Sequence, residues 1–337
     1  MKISGSIYSD KNRTLKETVL DLQAHQVDML HVDCNDDVSV FDDIKKIREW
    51  CNLPIDLHII TETPEKYFDL LRENPVEYVT FQYEQLKGKV TIPDDILGQK
   101  GLALITPTPI SAFDEYADFD FILFMATIPG QSGGVFDPEN FRKIRNFKAK
   151  YPHKNVHVDG GVNGEVSFIL RNMGVHSSVS GSFLFKGASV GHALMDLTRR
   201  AIKSQFKIRD FMIPIEECPV VDIKTLNFEG VLQAIDKGKQ GFTLVVEDES
   251  GFKGIISNAD VRKALLRTIE EGKAIENIDA KEMINPHPIV IKATANVDEM
   301  LDLVRSYSFP IMYMPVINGN NKAEGIVSFI NLIKGEI

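Results

Sequence analysis

Eight short β-rich runs, each followed by an amphipathic or irregular connection, fill the first two hundred or so residues. A strand–helix unit repeated eight times over this length predicts a small (β/α)8 TIM barrel of the α/β class. A doubly wound sheet is the alternative, but it usually carries a glycine-rich first turn, which SGSIYSDKN matches poorly. The predicted strands are Ile3–Tyr8, Met29–Cys34, Ile55–Ile60, Glu77–Gln82, Gly101–Thr106, Phe119–Ala126, Asn155–Asp159 and Ser177–Gly181. Helices are predicted after the later strands at Ser111–Tyr116, Pro138–Lys150, Gly164–Asn172 and Ala188–Lys203.

Histidine and aspartate share a face in two of these strands. LHVDC places His31 and Asp33 on one side, and IDLHI does the same for Asp56 and His58, because side chains alternate along a strand. Asp159 ends the seventh strand, and the carboxyl ends of all barrel strands form one rim. A desolvated carboxylate needs a partner, and histidine with carboxylate suits a zinc-like divalent cation. A lone strand histidine in a satisfied core is the alternative to a metal or catalytic cluster.

Glycine-rich stretches follow the last three predicted strands: IPGQSGGVF at 128–136, GGV at 160–162 and SGSFLF at 180–185. Backbone N–H groups in such turns form anion-binding nests, and the last loops of a barrel are its usual phosphate site. Tight turns without a ligand are the alternative. The placement favours a phosphorylated small molecule as the substrate.

The strings KISGSI, LHVD, IDLHI, FQYE, TPTP, MATIPG, VDGGV and VSGSFLF occur in this order over roughly residues 2–200. As a set they resemble the ribulose-phosphate 3-epimerase family. The resemblance implies a metal-dependent enzyme that inverts C3 of a ketose phosphate through an enediolate. Its substrate would be D-ribulose 5-phosphate, converted to D-xylulose 5-phosphate, or a close analogue.

The same resemblance implies roles for particular residues. His31, Asp33, His58 and Asp159 would bind the divalent metal, with Zn2+ as first choice and Fe2+, Mn2+ or Co2+ as alternatives. Asp33 and Asp159 would be the two catalytic acid/bases. The implied substrate-binding residues are Ser6, Met125, Gly130, Gly133, Gly160, Gly161, Gly181 and Ser182.

Several positions depart from the family's pattern. Asn35 and Ile60 stand where the family has methionines, Asp37 stands at a glycine, and Gln131 changes the loop after strand six. A catalytically retired barrel that serves as a sensor or scaffold therefore stays an alternative. A sugar-phosphate lyase or decarboxylase is another, but such sites need a lysine that HVDCNDD and IDLHII lack.

The last part of the chain contains an internal repeat. GIISNADVRKAL at 254 recurs as GIVSFINLIKGE at 325, which is 71 residues later, and each copy predicts a helix followed by a β-hairpin. The repeat resembles a tandem CBS domain pair, and the 254 string in particular resembles that of arabinose-5-phosphate isomerases. The predicted domains are a barrel at 1–203 and a CBS pair at 204–337, with repeats at about 206–270 and 277–337.

The CBS resemblance implies a ligand site. Ser257 and Asp260, with Ser328 and Asn331 in the second copy, would contact an adenine nucleotide or, alternatively, a nucleotide sugar. A pair that only dimerises is the other hypothesis. Both the barrel and the CBS families tend to self-associate, so a homo-oligomer is expected.

Composition limits the partners and the compartment. A net charge of −10 argues against binding to nucleic acid or an anionic membrane surface. The three cysteines form no CxxC pair, the N-terminus lacks the apolar core of a signal peptide, and no run is long enough to cross a bilayer. These features predict a protein of the reducing cytoplasm.

Overall fold

The computed structural model describes residues 1–127, 133–198, 204–248 and 251–330. These fall into two compact units, one within 1–198 and one within 204–330. Among the described residues, no helix has the length and apolar character needed to span a membrane.

The first unit is a closed barrel of eight parallel strands in sequential order, β1 to β8. The predicted (β/α)8 barrel is therefore confirmed. The strands are Lys2–Ser6 (β1), Met29–Asn35 (β2), Ile55–Ile60 (β3), Tyr78–Gln82 (β4), Gln99–Ile105 (β5), Phe121–Met125 (β6), Asn155–Asp159 (β7) and Ser177–Ser180 (β8).

Helices surround these strands: Leu15–Ala24 (α1), Val40–Trp50 (α2), Phe68–Glu73 (α3), Glu139–Lys150 (α4), Gly164–Asn172 (α5), Ser182–Lys186 (α6) and Val190–Thr198 (α7). Thr14 starts α1 with a capping box to Glu17, and the Asn163 side chain caps α5. Aliphatic and aromatic side chains of the helices pack on the outer face of the strands.

Two predicted elements differ from the structure. The end of the first predicted strand is a 3-10 turn at Ile7–Ser9, and the helix predicted at Ser111–Tyr116 is a 3-10 helix over Ile110–Tyr116. Both segments are short connections. In so few residues the hydrophobic pattern cannot distinguish a 3-10 helix from an α-helix or from the end of a strand. The predicted helix at Ala188–Lys203 corresponds to α7, and its last five positions lie outside the described residues.

The barrel interior is apolar at its amino-terminal end and polar at its carboxyl end. Met29, Tyr78 and Phe121 form a buried cluster near the starts of their strands. The inward residues at the other end of β2, β3 and β7 are the histidines and aspartates noted above. The fold thus collects these polar side chains on one rim.

The second unit contains two sheets built in the same way. One has the order β10-β11-β12 and the other β13-β14-β15-β9, and each includes one parallel pair and an antiparallel hairpin. Its strands are Ile213–Pro214 (β9), Val220–Asp222 (β10), Phe242–Glu247 (β11), Gly251–Ser257 (β12), Ile291–Lys292 (β13), Tyr313–Ile317 (β14) and Ala323–Ser328 (β15). Its helices are Ile208–Phe211 (α8), Phe228–Gly238 (α9), Asn258–Glu270 (α10) and Val297–Arg305 (α11).

The internal repeat extends to fine detail of the hairpins. The register of the first hairpin shifts between Val245 and Val246, and that of the second shifts between Val316 and Ile317. These two irregularities are separated by the same 71 residues as the sequence repeat. Each predicted helix-plus-hairpin is present, as α9 with β11–β12 and as α11 with β14–β15.

Candidate metal-binding and active site

The register of β2 against β3 assembles the core of the candidate site. His31 lies beside Asp56, and Asp33 lies beside His58, in the parallel pairing of these two strands. Inward positions in a barrel alternate with outward ones, so all four side chains point into the interior. Asp159 joins them from the end of β7.

The four predicted metal ligands lie close together. One nitrogen or carboxylate oxygen from each of His31, Asp33, His58 and Asp159 falls within 4.8 Å of the others. His31 Nε2 is 3.2 Å from Asp33 Oδ1 and 3.8 Å from Asp159 Oδ2. Both histidines are fully buried, whereas the two carboxylate side chains are 20% and 19% exposed. The carboxylates therefore face the opening of the barrel, where a small molecule can reach them.

The opposite nitrogen of each histidine is held by a second residue. His31 Nδ1 lies 2.9 Å from Asp56 Oδ2, which also accepts a hydrogen bond of 3.2 Å from Ser4 Oγ. His58 Nε2 lies 2.9 Å from Gln82 Oε1. Such contacts fix ring orientation, so His31 presents Nε2 and His58 presents Nδ1 to the shared centre.

The charges in the cluster separate the proton affinities of its two acidic groups. Burial raises the pKa of the Asp33 carboxyl, but the adjacent His31 ring outweighs it and holds that pKa below its usual range. Burial raises the pKa of Asp159 to about 6, with Asp33 adding to the rise and His31 opposing it. Burial lowers the pKa of His31, yet the Asp33 and Asp56 carboxylates hold it well above its usual range. Two carboxyls with divergent proton affinities are typical of an acid/base pair.

The cluster fits a divalent cation. The buried Nδ1 atom of His58 has no hydrogen-bond partner among the described residues, although an unpaired buried nitrogen costs about 1–3 kcal/mol. A cation would use that lone pair. Two imidazole nitrogens and two carboxylate oxygens form a donor set that suits zinc and other first-row divalent metals.

Backbone turns beside the cluster could hold an anion. Gly160 and Gly161 have left-handed φ values of 108° and 67°, and a Cβ at either position would collide with Thr127 or with the backbone of Phe136. Consecutive N–H groups in this geometry form a nest. Gly181 closely approaches Ser9, whose Oγ lies 3.0 Å from Ser6 Oγ.

A lysine that the sequence analysis missed lies beside these glycines. A Cβ built on Gly133 would be 3.5 Å from Lys186 Nζ and 3.8 Å from Ser182 Oγ. A cation, a hydroxyl and a left-handed glycine thus lie around one point. Lys186 follows directly after SGSFLF, and a positive charge beside a predicted anion-binding loop was the available signal.

The other predicted substrate residues, and the positions that depart from the family's pattern, lie in different surroundings. Met125 is buried at the end of β6, paired in register with Asp159. Gly130 lies outside the described residues, as does Gln131. Asn35 is exposed at the end of β2, Asp37 is exposed in the loop that follows, and Ile60 is half-buried at the end of β3.

Three further residues at the cluster were absent from the predicted set. Asp56 and Gln82 contact the histidines directly, and Glu84 binds the amide of Gln82. The strand alternation already placed Asp56 on the face of His58, which was the available signal. Its contact with His31 depends on the register of β2 and β3, which the sequence does not fix.

The predicted ligand residues of the second unit make local contacts. Asp260 Oδ2 accepts hydrogen bonds from the backbone N–H and the hydroxyl of Ser257, at 2.9 and 2.6 Å, at the start of α10. Ser328 ends β15, where its Oγ accepts a 3.5 Å hydrogen bond from the backbone N–H of Ile330. Asn331 lies outside the described residues.

Comparison with protein-family models matches residues 2–185 to the ribulose-phosphate 3-epimerase family. The chain belongs to that family. The expectation of an enzyme of the isomerase class is confirmed by this match. A second model, that of the CBS domain, matches residues 280–336 and confirms a CBS region after the barrel. The likeness to arabinose-5-phosphate isomerases stays a prediction.

Curated relatives agree with this assignment. The chain is 29% identical over 161 residues to ribulose-phosphate 3-epimerase of Candida glabrata, covering 47% of this chain and 65% of that one. It is 28% identical over 229 residues to the same enzyme of Methanocaldococcus jannaschii, covering 63% and 95%. A solved structure, CBSX2 in complex with AMP, is 21% identical with a TM-score of 0.31, covering 39% of this chain and 96% of that one.

Proposed function

We propose that the barrel is a metal-dependent epimerase that inverts C3 of a ketose phosphate. The preferred substrate is D-ribulose 5-phosphate, which would become D-xylulose 5-phosphate, and a close analogue is the alternative. The observation that carries the proposal is the convergence of Asp33 and Asp159 with two buried histidines on the rim of a barrel of this family.

Two carboxylates explain an inversion better than one. The C3 proton is acidic because it lies next to a carbonyl, and its removal leaves a planar enediolate. Asp33 and Asp159 come from β2 and β7, so a substrate carbon placed between them would have a carboxylate on each side. One carboxylate takes the proton and the other returns one to the opposite face. A single base would tend to return the proton to the face it left.

The metal would be held by His31 Nε2, His58 Nδ1, Asp33 and Asp159, with zinc as first choice and iron, manganese or cobalt as alternatives. When bound, such a cation stabilises negative charge that develops on the substrate oxygens. Asp56 and Gln82 hold the histidine rings in place for it.

The substrate phosphate would bind where the loops after β6, β7 and β8 meet. Gly133, Gly160, Gly161 and Gly181 supply backbone N–H groups, and Ser182 supplies a hydroxyl. Lys186 adds a positive charge at the same place, which matters in a chain of net charge −10. Ser6, whose hydroxyl lies 3.0 Å from that of Ser9, and Met125, which pairs in register with Asp159, would contact the sugar carbons.

The second unit would bind a regulatory ligand of the nucleotide class, either an adenine nucleotide or a nucleotide sugar. The support is the CBS match and the pairing of a hydroxyl with a carboxylate at Ser257 and Asp260. Such a ligand can change the epimerase only if it binds two states of the protein with different affinity.

The direct test is conversion of ribulose 5-phosphate to xylulose 5-phosphate by the metal-loaded protein. Asp33→Asn and Asp159→Asn should each lower kcat by about 100- to 10,000-fold, the usual contribution of a general acid or base. Asp69→Asn is the matched control, since the Asp69 side chain is 90% exposed on α3 and is not a member of the cluster. Conversion that survives in both active-site variants would contradict the two-carboxylate mechanism.

A further inference from the structure

Two sequence strings, FQYE and TPTP, have no role in the chemistry above, yet their side chains form one hydrogen-bonded network that ends on His58. Gln82 and Glu84 belong to FQYE, and Thr108 belongs to TPTP. The network runs from Thr108 through Glu84 and Gln82 to the histidine ring. Its members come from β4, from the turn after β4 and from the loop after β5.

The direction of every hydrogen bond in this network is set by Glu84. A carboxylate only accepts, so Oε1 of Glu84 receives the hydroxyl of Thr108 and, at 3.1 Å, the backbone N–H of Ile105. Its other oxygen must receive an N–H from the amide of Gln82. A second acceptor, the carbonyl oxygen of Ala103, lies 3.4 Å from the same amide nitrogen.

These acceptors fix the side-chain amide of Gln82. Its NH2 group faces two oxygens that cannot donate, so its carbonyl oxygen must face the opposite way, toward His58. Gln82 is buried, with 2% exposure, so water does not offer an alternative partner. The orientation of this amide therefore follows from the Glu84 carboxylate.

The oriented amide selects one tautomer of His58. Gln82 Oε1 lies 2.9 Å from His58 Nε2 and accepts a hydrogen there, which leaves Nδ1 without a hydrogen when the ring is neutral. Nδ1 points toward the cluster, 3.6 Å from Asp33 Oδ1, and has no hydrogen-bond partner among the described residues. The same ring with the opposite tautomer would present N–H to the metal position and bind nothing there.

We propose that Gln82 is a positioning residue for His58, and that Glu84 and Thr108 act through it by fixing its amide. The network determines which nitrogen of His58 is free to ligate the metal. The metal part of this inference rests on the proposed function, but the tautomer exists in the metal-free protein and is measured separately.

The first measurement is the tautomer of His58 in metal-free protein, read from 15N shifts of the ring nitrogens at alkaline pH, where an imidazole is neutral. Wild-type protein should show hydrogen on Nε2, and hydrogen on Nδ1 would overturn the proposal. Gln82→Met, which keeps length but removes both amide groups, should give a mixture of the two tautomers. This result does not depend on whether the barrel is an active epimerase.

The second measurement is zinc affinity by competition with a fluorescent chelator. Gln82→Met should weaken zinc binding by about 10- to 100-fold, as loss of an outer-sphere partner does. Thr108→Val should weaken it by a few fold, since Glu84 loses one donor but keeps the Ile105 N–H. Thr106→Val is the matched control in the same TPTP string, because the Thr106 hydroxyl contacts Met125 and Asn140 and not Glu84.

The outcomes separate the hypotheses. Unchanged tautomer and zinc affinity in Gln82→Met would overturn the positioning role. Equal losses in Thr106→Val and Thr108→Val would overturn the Thr108 step and indicate a general effect on folding. Wild-type protein that binds no zinc would contradict the proposed metal site alone. If Gln82→Met fails to fold, the comparison of the two threonine variants still tests the network.

Discussion

The polar residues at the barrel rim and those at the start of α10 differ in whether their hydrogen-bonding groups are satisfied without a ligand. His31 and His58 are fully buried beside the partly exposed Asp159, and Nδ1 of His58 has no hydrogen-bond partner among the described residues. In the second unit, Asp260 accepts two short local hydrogen bonds from Ser257. A helix start is stabilised by such bonds with or without a nucleotide.

This difference between the two groups of polar residues shows when the arrangement of side chains is by itself evidence for a bound ligand. Burying charged groups against one another is costly unless something compensates, and a bound cation would compensate for that cost at the rim cluster. A satisfied helix cap has no such cost to explain. The proposal of a ligand in the second unit therefore depends on the family match alone. The proposal of a metal in the barrel depends on the family match and also on the energetic cost of the buried polar groups.

Removing the metal should have the largest effect and would sharpen this contrast. Chelation should reduce epimerase activity to background, and activity should return on adding zinc. Zinc at a hundred times its Kd should stabilise the barrel by about 2.7 kcal/mol, which raises its unfolding midpoint by about 5–10 °C.

The single tryptophan, Trp50 on α2, makes that shift specific to the barrel, because its fluorescence reports only this unit. A nucleotide should leave the Trp50 transition unchanged if it binds only to the second unit. A midpoint that does not respond to zinc would contradict a metal held by the barrel cluster.

Substitution of Lys186 tests whether its positive charge contributes to binding of the substrate phosphate at the proposed site. Lys186→Met should raise KM for the sugar phosphate by about tenfold with little change in kcat, because an ion-assisted hydrogen bond to the phosphate is lost. Lys45→Met, an exposed lysine on α2, is the matched control for the change in net charge. Equal effects of both variants would mean that Lys186 acts only through long-range charge.

The smallest expected effect lies in the second unit. An adenine nucleotide at ten times its Kd should stabilise that unit by about 1.4 kcal/mol, seen by calorimetry. Asp260→Asn should remove this stabilisation. Glu299→Gln is the matched control, because Glu299 caps α11 through the same kind of bond, 2.8 Å from the Asn296 N–H. If the two variants respond alike to nucleotide, Asp260 does not bind the nucleotide and serves only to cap α10.

The sequence predicted the barrel and its rim residues well because both follow from periodic patterns. Strand alternation and the repeat of strand–helix units are enough to place His31, His58 and Asp159 on one rim. The pattern could not show that Asp56 contacts His31, or that Gln82 contacts His58, because these contacts depend on strand register and side-chain rotamers.

Short segments were the least predictable. The sequence predicts a glycine-rich loop where the structure has the five-residue helix α6, which places Lys186 beside Gly133. A single helical turn has too few residues to show a period, so tertiary contacts decide its form. The cytoplasmic location and the homo-oligomer stay predictions.

The most direct test of the central claim is solvent deuterium incorporation at C3 of ribulose 5-phosphate, followed by NMR with metal-loaded protein. The two-carboxylate account predicts deuterium at C3 of the xylulose 5-phosphate product, with loss of exchange and product in both Asp33→Asn and Asp159→Asn. Product formed without deuterium at C3, or exchange that persists undiminished in both variants, would contradict it.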